Sequence, residues 1–349
     1  MKHDGWEVNK LGEVCDILNG RNQKKVEDIN GKYPIYGSGG IMGYANDYIC
    51  KAGTTIIGRK GSINKPLYVE KDFWNVDTAF GLQPKECCHS RFLYYLCKSI
   101  DFTRYDKGVT IPSLVKSDLL QIPVTVPLLP EQSRIVEELD LLSNIIEKKR
   151  QQLSELDNLA QSIFYDMFGD PNSNDKKWER VKFDSICKNL DCQRKPITAK
   201  DRLKGNIPYY GASGIVDYVK DYIFDGDFLL ISEDGANLSV RHTPIAFRIT
   251  GKTWVNNHAH IVQFDDIISM LFVEYYINLL DISDLITGCA QPKLTQANLN
   301  NILIFDVPLS LQQLFAKKIE AIEKQKALIK KSIAETEELF NSRMDYYFS

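Results

Sequence analysis

Two short loops hold the residues with the richest chemistry in this chain. Arg59-Lys60 sits in IIGRKGSIN and Glu233-Asp234 sits in LISEDGAN, each pair placed between an apolar β-like run and a glycine. Arginine and lysine suit the O6 and N7 acceptors of guanine, whereas glutamate and aspartate can accept from cytosine N4. A carboxylate pair could also serve acid-base chemistry. A catalytic site would not normally reverse its charge between two copies, so recognition by exchanged loop tips is the sharper reading, and a pair of solvated turns the plainer one. His258 and His260 alternate along a strand-like run and would share a face, as metal ligands can. No Cys, Asp or Glu stands at a supporting spacing, which favours a structural or hydrogen-bonding role, and His3, His89 and His242 are isolated.

Catalytic signatures are otherwise missing. Gly53-Thr-Thr-Ile-Ile-Gly58 resembles the opening of a phosphate-binding loop, but Arg59 and Lys60 stand where Lys and then Ser or Thr are needed. Gly37-Ser38-Gly39-Gly40 fails the dinucleotide-binding spacing because Met42 takes the place of the last glycine. The chain contains no Pro-Pro, so the Asn/Asp-Pro-Pro-aromatic motif of amino-methyltransferases is absent.

The two charged loops belong to an internal repeat. KYPIYGSGGIMGYANDYI from Lys32 and NIPYYGASGIVDYVKDYI from Asn206 match without a gap at nine of eighteen positions. GVTIPSLVKSDLLQIPVTVPL from Gly108 recurs as GCAQPKLTQANLNNILIFDVPL from Gly288, and Trp6-Glu7 with Cys15 parallels Trp178-Glu179 with Cys187. The period is too long for a solenoid and implies two pseudosymmetric units. Short β-branched and aromatic runs (TTIIG, PLYVE; FLLIS, PIAFRI, AHIVQF) precede a helical stretch, SRFLYYLCKSI or SMLFVEYYINLL, so both units mix α and β.

Long heptad segments follow each unit. Ile135, Leu139, Leu142, Ile146, Lys149, Leu153, Leu156, Ala160, Ile163 and Met167 step by four and three, as do Phe315, Ile319, Ile322, Lys326, Ile329, Ile333, Thr336, Phe340 and Arg343. Such seams indicate a coiled coil, entered at Pro127–Gln132 and ended by Gly169-Asp170-Pro171. Lys149 and Lys326 interrupt the apolar seams, either snorkelling at the edge or setting register. The expected division is a first recognition unit over 1–132, a central helix over 133–169, a second unit over 170–310 and a terminal helix over 311–349. The two helices are expected to lie antiparallel.

Composition bounds the rest. The 349 residues, 44% hydrophobic, can bury more than one core, and the net charge of −3 gives no general affinity for polyanions. Apolar stretches are too short for a membrane span and the N-terminus lacks a signal-peptide core, which points to a soluble, intracellular, cytoplasmic protein. Cys15, Cys50, Cys87, Cys88, Cys97, Cys187, Cys192 and Cys289 form no CxxC pair and read as reduced thiols, mostly buried.

Together the repeat, the YYGASGIVDYV, LLISEDGAN and AQPKLTQANLNNI strings and the heptads resemble the DNA-specificity subunit of type I restriction-modification systems over essentially the whole chain. The resemblance implies an α+β architecture: two pseudosymmetric target-recognition domains of mixed α/β content joined by two long antiparallel coiled-coil helices. It implies a non-catalytic subunit whose domains each read half of a bipartite double-stranded DNA site, with the helices setting the unread gap. Two adenine-N6 methyltransferase (modification) subunits and restriction/translocase subunits would be partners, carrying S-adenosylmethionine and ATP/Mg, with no cofactor or metal on this chain. By position, the implied DNA-facing residues of the first unit are Tyr36, Ser38, Gly39, Arg59, Lys60, Ser62, Asn64, Lys107, Thr110 and Ser113. Those of the second are Tyr210, Ser213, Glu233, Asp234, Asn237, Arg241, His258, Gln291 and Lys293, with Lys, Thr and Ser suited to phosphate. Two departures from the family pattern are a start almost directly at the first unit, without a helical leader, and VTIPSLVKSDL where the second unit has the more family-like string. The competing reading is a coiled-coil scaffold or adaptor that binds no DNA.

Overall fold

A computed structural model describes residues 6–288 and 291–349. The chain divides into two compact units, one formed by residues 1–150 with 330–349 and the other by 151–329. Each unit therefore takes its helical part from two distant stretches of sequence. The longer helices are α1 (Ser90–Ser99), α2 (Leu129–Phe168), α3 (Ile267–Leu279) and α4 (Leu309–Phe348). Both long helices begin slightly earlier than the expected 133 and 311. At 1.5 Å per residue, the 40 residues of α2 or of α4 extend about 60 Å. Pro130 occupies the first turn of α2, where its missing N–H costs nothing, and Gly169 ends the helix at φ 81°, a conformation that favours glycine.

In the first unit an antiparallel sheet orders the strands Cys15–Asn19, Ala79–Pro84, Thr54–Gly58 and Leu67–Val69. A smaller sheet holds the hairpin Tyr33–Gly37/Gly40–Ala45 and, parallel to its first strand, Trp74–Asn75. In the second unit the equivalent strands merge into one six-stranded sheet, because Ala246–Val255 is long enough to pair with both Phe224–Ser232 and Lys204–Gly211. A short antiparallel pair completes each unit, Glu7–Lys10 with Pro123–Val126 and Arg180–Lys182 with Leu303–Phe305. The β-like runs at TTIIG, PLYVE, FLLIS, PIAFRI and AHIVQF all contribute strands, and both units mix α and β.

Aromatic residues from helix and sheet fill the cores. In the second unit Phe164 and Phe168 of α2 meet Phe315 of α4 and Phe272 of α3, with ring centroids 4.9 to 5.7 Å apart. Each fully buried ring contributes about 1.5–3 kcal/mol through its transfer from water. In the first unit Phe92 of α1 packs on Phe348 of α4, and buried Tyr95 lies against Phe340 and donates to Asp140 at 2.5 Å.

Within each unit the long helices run antiparallel. In the first, Glu138 accepts from Arg343 and Tyr347 while Lys149 reaches Ser332; in the second, Asp157 pairs with Lys326 while Phe164 meets Phe315. The heptads need correction at the ends of both helices: in α2 Phe164 and Phe168 are fully buried while the expected Ile163 and Met167 are half-buried, and in α4 the last inward position shifts by one residue. Arg343 turns outward to Glu138, and Met344 takes the buried position instead. Both seam lysines cross to the facing helix: Lys149 Nζ donates to Ser332 Oγ at 2.6 Å and Thr336 Oγ1 at 3.2 Å, and Lys326 Nζ meets Asp157 at 2.7 Å.

The described cysteines are free; Cys15, Cys50, Cys88 and Cys97 are buried, whereas Cys87 and Cys192 are exposed. Cys289, like His3, lies outside the described residues. Among the described residues no helix is long and apolar enough to cross a membrane.

Candidate nucleic-acid interface

The same backbone frame occurs in both units. In the first, the Arg59 N–H donates to Thr78 O at 2.8 Å, Leu114 N–H to Arg59 O at 2.9 Å and Gly61 N–H to Pro112 O at 2.9 Å. In the second, Glu233 N–H donates to His258 O at 2.9 Å, Leu294 N–H to Glu233 O at 2.8 Å and Gly235 N–H to Pro292 O at 3.0 Å. Isolated bridges Lys60–Ser113 and Asp234–Lys293 complete the correspondence. A segment after the short parallel strand brings the first hairpin to this frame: Val76 N–H donates to Tyr36 O in one unit, and Asn256 N–H to Tyr210 O in the other, both at 3.0 Å. Segments far apart in sequence thus converge twice, fixed by backbone bonds that do not depend on side-chain type.

The side chains on this frame differ. Arg59 is half-buried, its guanidinium 5.9 Å from the Phe80 ring centroid and its Nη1 donating to Asp77 O at 3.3 Å. Lys60, Ser62 and Thr110 are exposed, and Lys107 pairs with Asp118 at 3.6 Å. Asp106 accepts from the backbones of Gly108 and Ser113, each at 2.7 Å; these bonds hold its carboxyl below the usual carboxylate range and shape the Gly108 turn.

In the second unit Glu233 is not a loop tip, which corrects the expectation from the sequence. Its carboxylate lies 2.6 Å from Arg194 Nη1, 3.0 Å from Lys293 Nζ and 3.8 Å from His260 Nδ1, and its side chain is nearly enclosed. Asp191 accepts from His260 Nδ1 at 2.6 Å and from Ile261 N–H at 2.9 Å. Burial pushes the Glu233 and Asp191 carboxyls up, but the hydrogen bonds and positive partners outweigh it, and both end below their ordinary values. The physical reason for the correction is the cost of an unpaired buried charge: once the backbone frame pulls Glu233 inward, it must be matched by Arg194 and Lys293.

Asp234 likewise faces a partner, its carboxylate 2.9 Å from His258 Nδ1. His258 and His260, similar in sequence, thus separate, the first half-exposed and the second buried. Asp191, Glu233 and His260 place potential ligand atoms within 4.8 Å of one another. Arg194 already supplies the neutralising charge there, and His260 Nε2 is engaged with Leu294 O at 2.8 Å, so these residues do not fit a metal centre.

Several other carried-over side chains are engaged within the protein. Asn64 Oδ1 accepts from Phe102 N–H at 2.9 Å and its Nδ2 donates to Asp101 at 3.4 Å, so both ends of its amide are used. Asn237 accepts from Thr243 N–H at 3.1 Å and donates to Thr243 O at 3.0 Å, and Arg241 donates to Leu280 O at 3.0 Å. Tyr36 and Tyr210 present half-buried rings against Phe73 and Phe247, and burial raises both phenols. Ser38, Gly39 and Ser213 lie at the hairpin turns, and Gln291 is exposed. Asp191 and Arg194 escape a search for motifs; aligning DILNGRN with KNLDCQRK beside the stronger repeats is the one signal that places them near the frame.

The family model for the type I restriction modification DNA specificity domain matches twice, over residues 3–158 and 175–338. The chain belongs to this family. A Haemophilus influenzae protein named as a type I restriction enzyme specificity subunit is 37% identical over 139 residues, 40% of this chain and 36% of its own. The specificity subunit of the Escherichia coli type I restriction enzyme EcoDI is 25% identical over 45% of this chain and 35% of its own length. Each match therefore spans well under half of the relative. Among solved structures, the S subunit of a type I restriction-modification system from M. genitalium is similar over 100% of this chain and 98% of its own, with TM-score 0.61 and 16% identity. A chain from a structure concerning complex assembly and conformational transition of the type I system gives TM-score 0.56 at 16% identity, covering 98% of this chain and 97% of its own. At such identities the two structures establish a shared fold.

Proposed function

We propose that this chain is the non-catalytic specificity subunit of a type I restriction-modification complex, in which each unit reads one half of a bipartite DNA site. The observation that carries this reading is the twice-built backbone frame bearing different side chains, Arg59, Lys60, Thr78 and Ser113 in one copy and Glu233, Asp234, His258 and Lys293 in the other. Retaining the frame while exchanging its side chains is what reading two different half-sites requires. The long helices α2 and α4 set the unread gap, and they dock two adenine-N6 methyltransferase subunits with restriction/translocase subunits. S-adenosylmethionine and ATP/Mg belong to those partners.

Co-expression with the methyltransferase subunits, followed by sequencing of N6-methylated adenines, tests the proposal. The expected result is one bipartite motif, of which exchange of residues 1–132 for another family member's unit alters one half only. Removing one heptad from each of α2 and α4 shortens the helices by about 10 Å and should shorten the gap by about three base pairs. An unaltered gap would remove the helices' role as a spacer, and absence of any bipartite motif in the wild-type complex would remove the reading itself.

A further inference from the structure

The acidic pair of the second unit does not give it an acidic reading surface. Glu233, Asp234 and Asp191 expose only 12%, 16% and 5% of their side chains, whereas Lys293 and His258 expose 49% and 48%. The carboxylates lie behind the cation and the ring. Glu233 engages Lys293 Nζ at 3.0 Å, which uses one of the three ammonium donors and leaves two. Its other oxygen meets Arg194, whose guanidinium is itself enclosed and bonded to Ala259 O at 2.6 Å. Arg194 therefore balances the buried charge while Lys293 remains at the surface.

We propose that Lys293 is a specificity-determining residue of the second unit, donating to the O6 and N7 acceptors of a guanine, and that Glu233 is a positioning residue that aims it. This rests on the reading of the chain as a DNA-specificity subunit. It replaces the cytosine preference that Glu233-Asp234 suggests from sequence with a preference for an acceptor edge. Lys293 bridges to Asp234 through the backbone as Ser113 does to Lys60, so the reading cation has moved between segments of one frame: it stands at position 60 in the first unit and at 293 in the second. A lysine on an ordered strand and tied to a carboxylate presents its donors in a narrower set of directions than one on a free turn, the condition for reading a base rather than following a phosphate.

The experiment uses the full chain co-expressed with its methyltransferase subunits and compares methylated motifs for wild type, Lys293→Gln, Lys293→Arg, Glu233→Gln and a unit exchange that identifies the half read by residues 170–310. Expected is a guanine in that half whose discrimination falls about 5- to 150-fold in Lys293→Gln, the range of a 1–3 kcal/mol base contact, with the other half unaltered. Lys293→Arg should retain the guanine, and Glu233→Gln should relax the same position. A uniform loss of methylation across all sequences in Lys293→Gln would reassign Lys293 to phosphate and overturn the proposal. So would unaltered discrimination, or no guanine in that half. Because Lys293 is half exposed, its variants test the reading even if Glu233→Gln fails to fold. A wild-type complex that methylates no bipartite motif would instead overturn the function on which the proposal rests.

Discussion

The backbone N–H of His89 donates to Oε1 of Gln132 at 2.7 Å, tying the start of α1 to a fully buried side chain of α2. Gln132 Nε2 completes the bracket by donating to Pro127 O at 2.8 Å and Cys87 O at 2.9 Å. Gln132→Leu would strand three backbone groups at about 1–3 kcal/mol for each that stays buried, giving a total loss of about 3 kcal/mol or more. Gln312 stands at the matching place before the second heptad seam, but it donates only to Val307 O, and its Oε1 is buried with no protein partner. Gln312→Leu should therefore cost about 1 kcal/mol or less. Urea unfolding of the two variants checks this contrast, and equal losses would refute it.

Acid should weaken the network around Arg194. Asp191 and Glu233 titrate below their ordinary values of 3.8 and 4.5, so the folded state holds these protons less tightly than the unfolded chain. Their contribution is fully present above the ordinary values and is lost as pH falls through the lower folded ones. Asp191→Asn, which leaves buried Arg194 short of a countercharge, should cost about 3–5 kcal/mol near neutrality. The difference from wild type should shrink as the pH drops from about 5 to about 3. A pH-independent difference in unfolding free energy would exclude the linkage.

Thiol labelling should separate the cysteines by burial. Burial pushes Cys15, Cys50, Cys88 and Cys187 up to about 12 and Cys97 well above its usual value, leaving almost no thiolate at neutral pH. In a Cys289→Ser background, maleimide should modify Cys87 and Cys192 in the native protein and the others only after denaturation. Peptide mass spectrometry reads the sites, and rapid native labelling of Cys15 or Cys97 would contradict the packing.

The hairpin turns should resist any side chain. Gly40 and Gly214 have φ of 123° and 124°, and an added Cβ would meet nothing within 4 Å at either. Backbone strain alone should make Gly40→Ala and Gly214→Ala each cost about 1–3 kcal/mol. Thermal unfolding of the two variants should show similar losses, and a neutral effect at either would mean that its turn relaxes.

Sequence and structure agree most closely where order along the chain fixes geometry. The heptads from Ile135 and Phe315 name the inward residues Ile135 to Ile146 of α2 and Phe315 to Ile322 of α4, because a helix converts spacing directly into a face, but they miss Phe164 and Phe168 of α2 and Met344 and Tyr347 of α4, which are also buried. The matched strings from Lys32 and Asn206 give the same hairpin in both units, with the same tyrosine beside the same turn. Family membership follows from this ordered pattern as well.

The state of the charged residues was legible only in three dimensions. The sequence alone determined that the Arg59 and Glu233 loops occupy equivalent places, since the strand before and the glycine after each are retained. Which charges face solvent depends on Arg194, Asp191, His260 and Lys293, scattered over about a hundred residues and joined by no local period. Only the tertiary fold decided that Glu233 turns inward to Arg194 while Lys293 stays out, because a carboxylate drawn into a low-dielectric interior must find its countercharge wherever the chain supplies one.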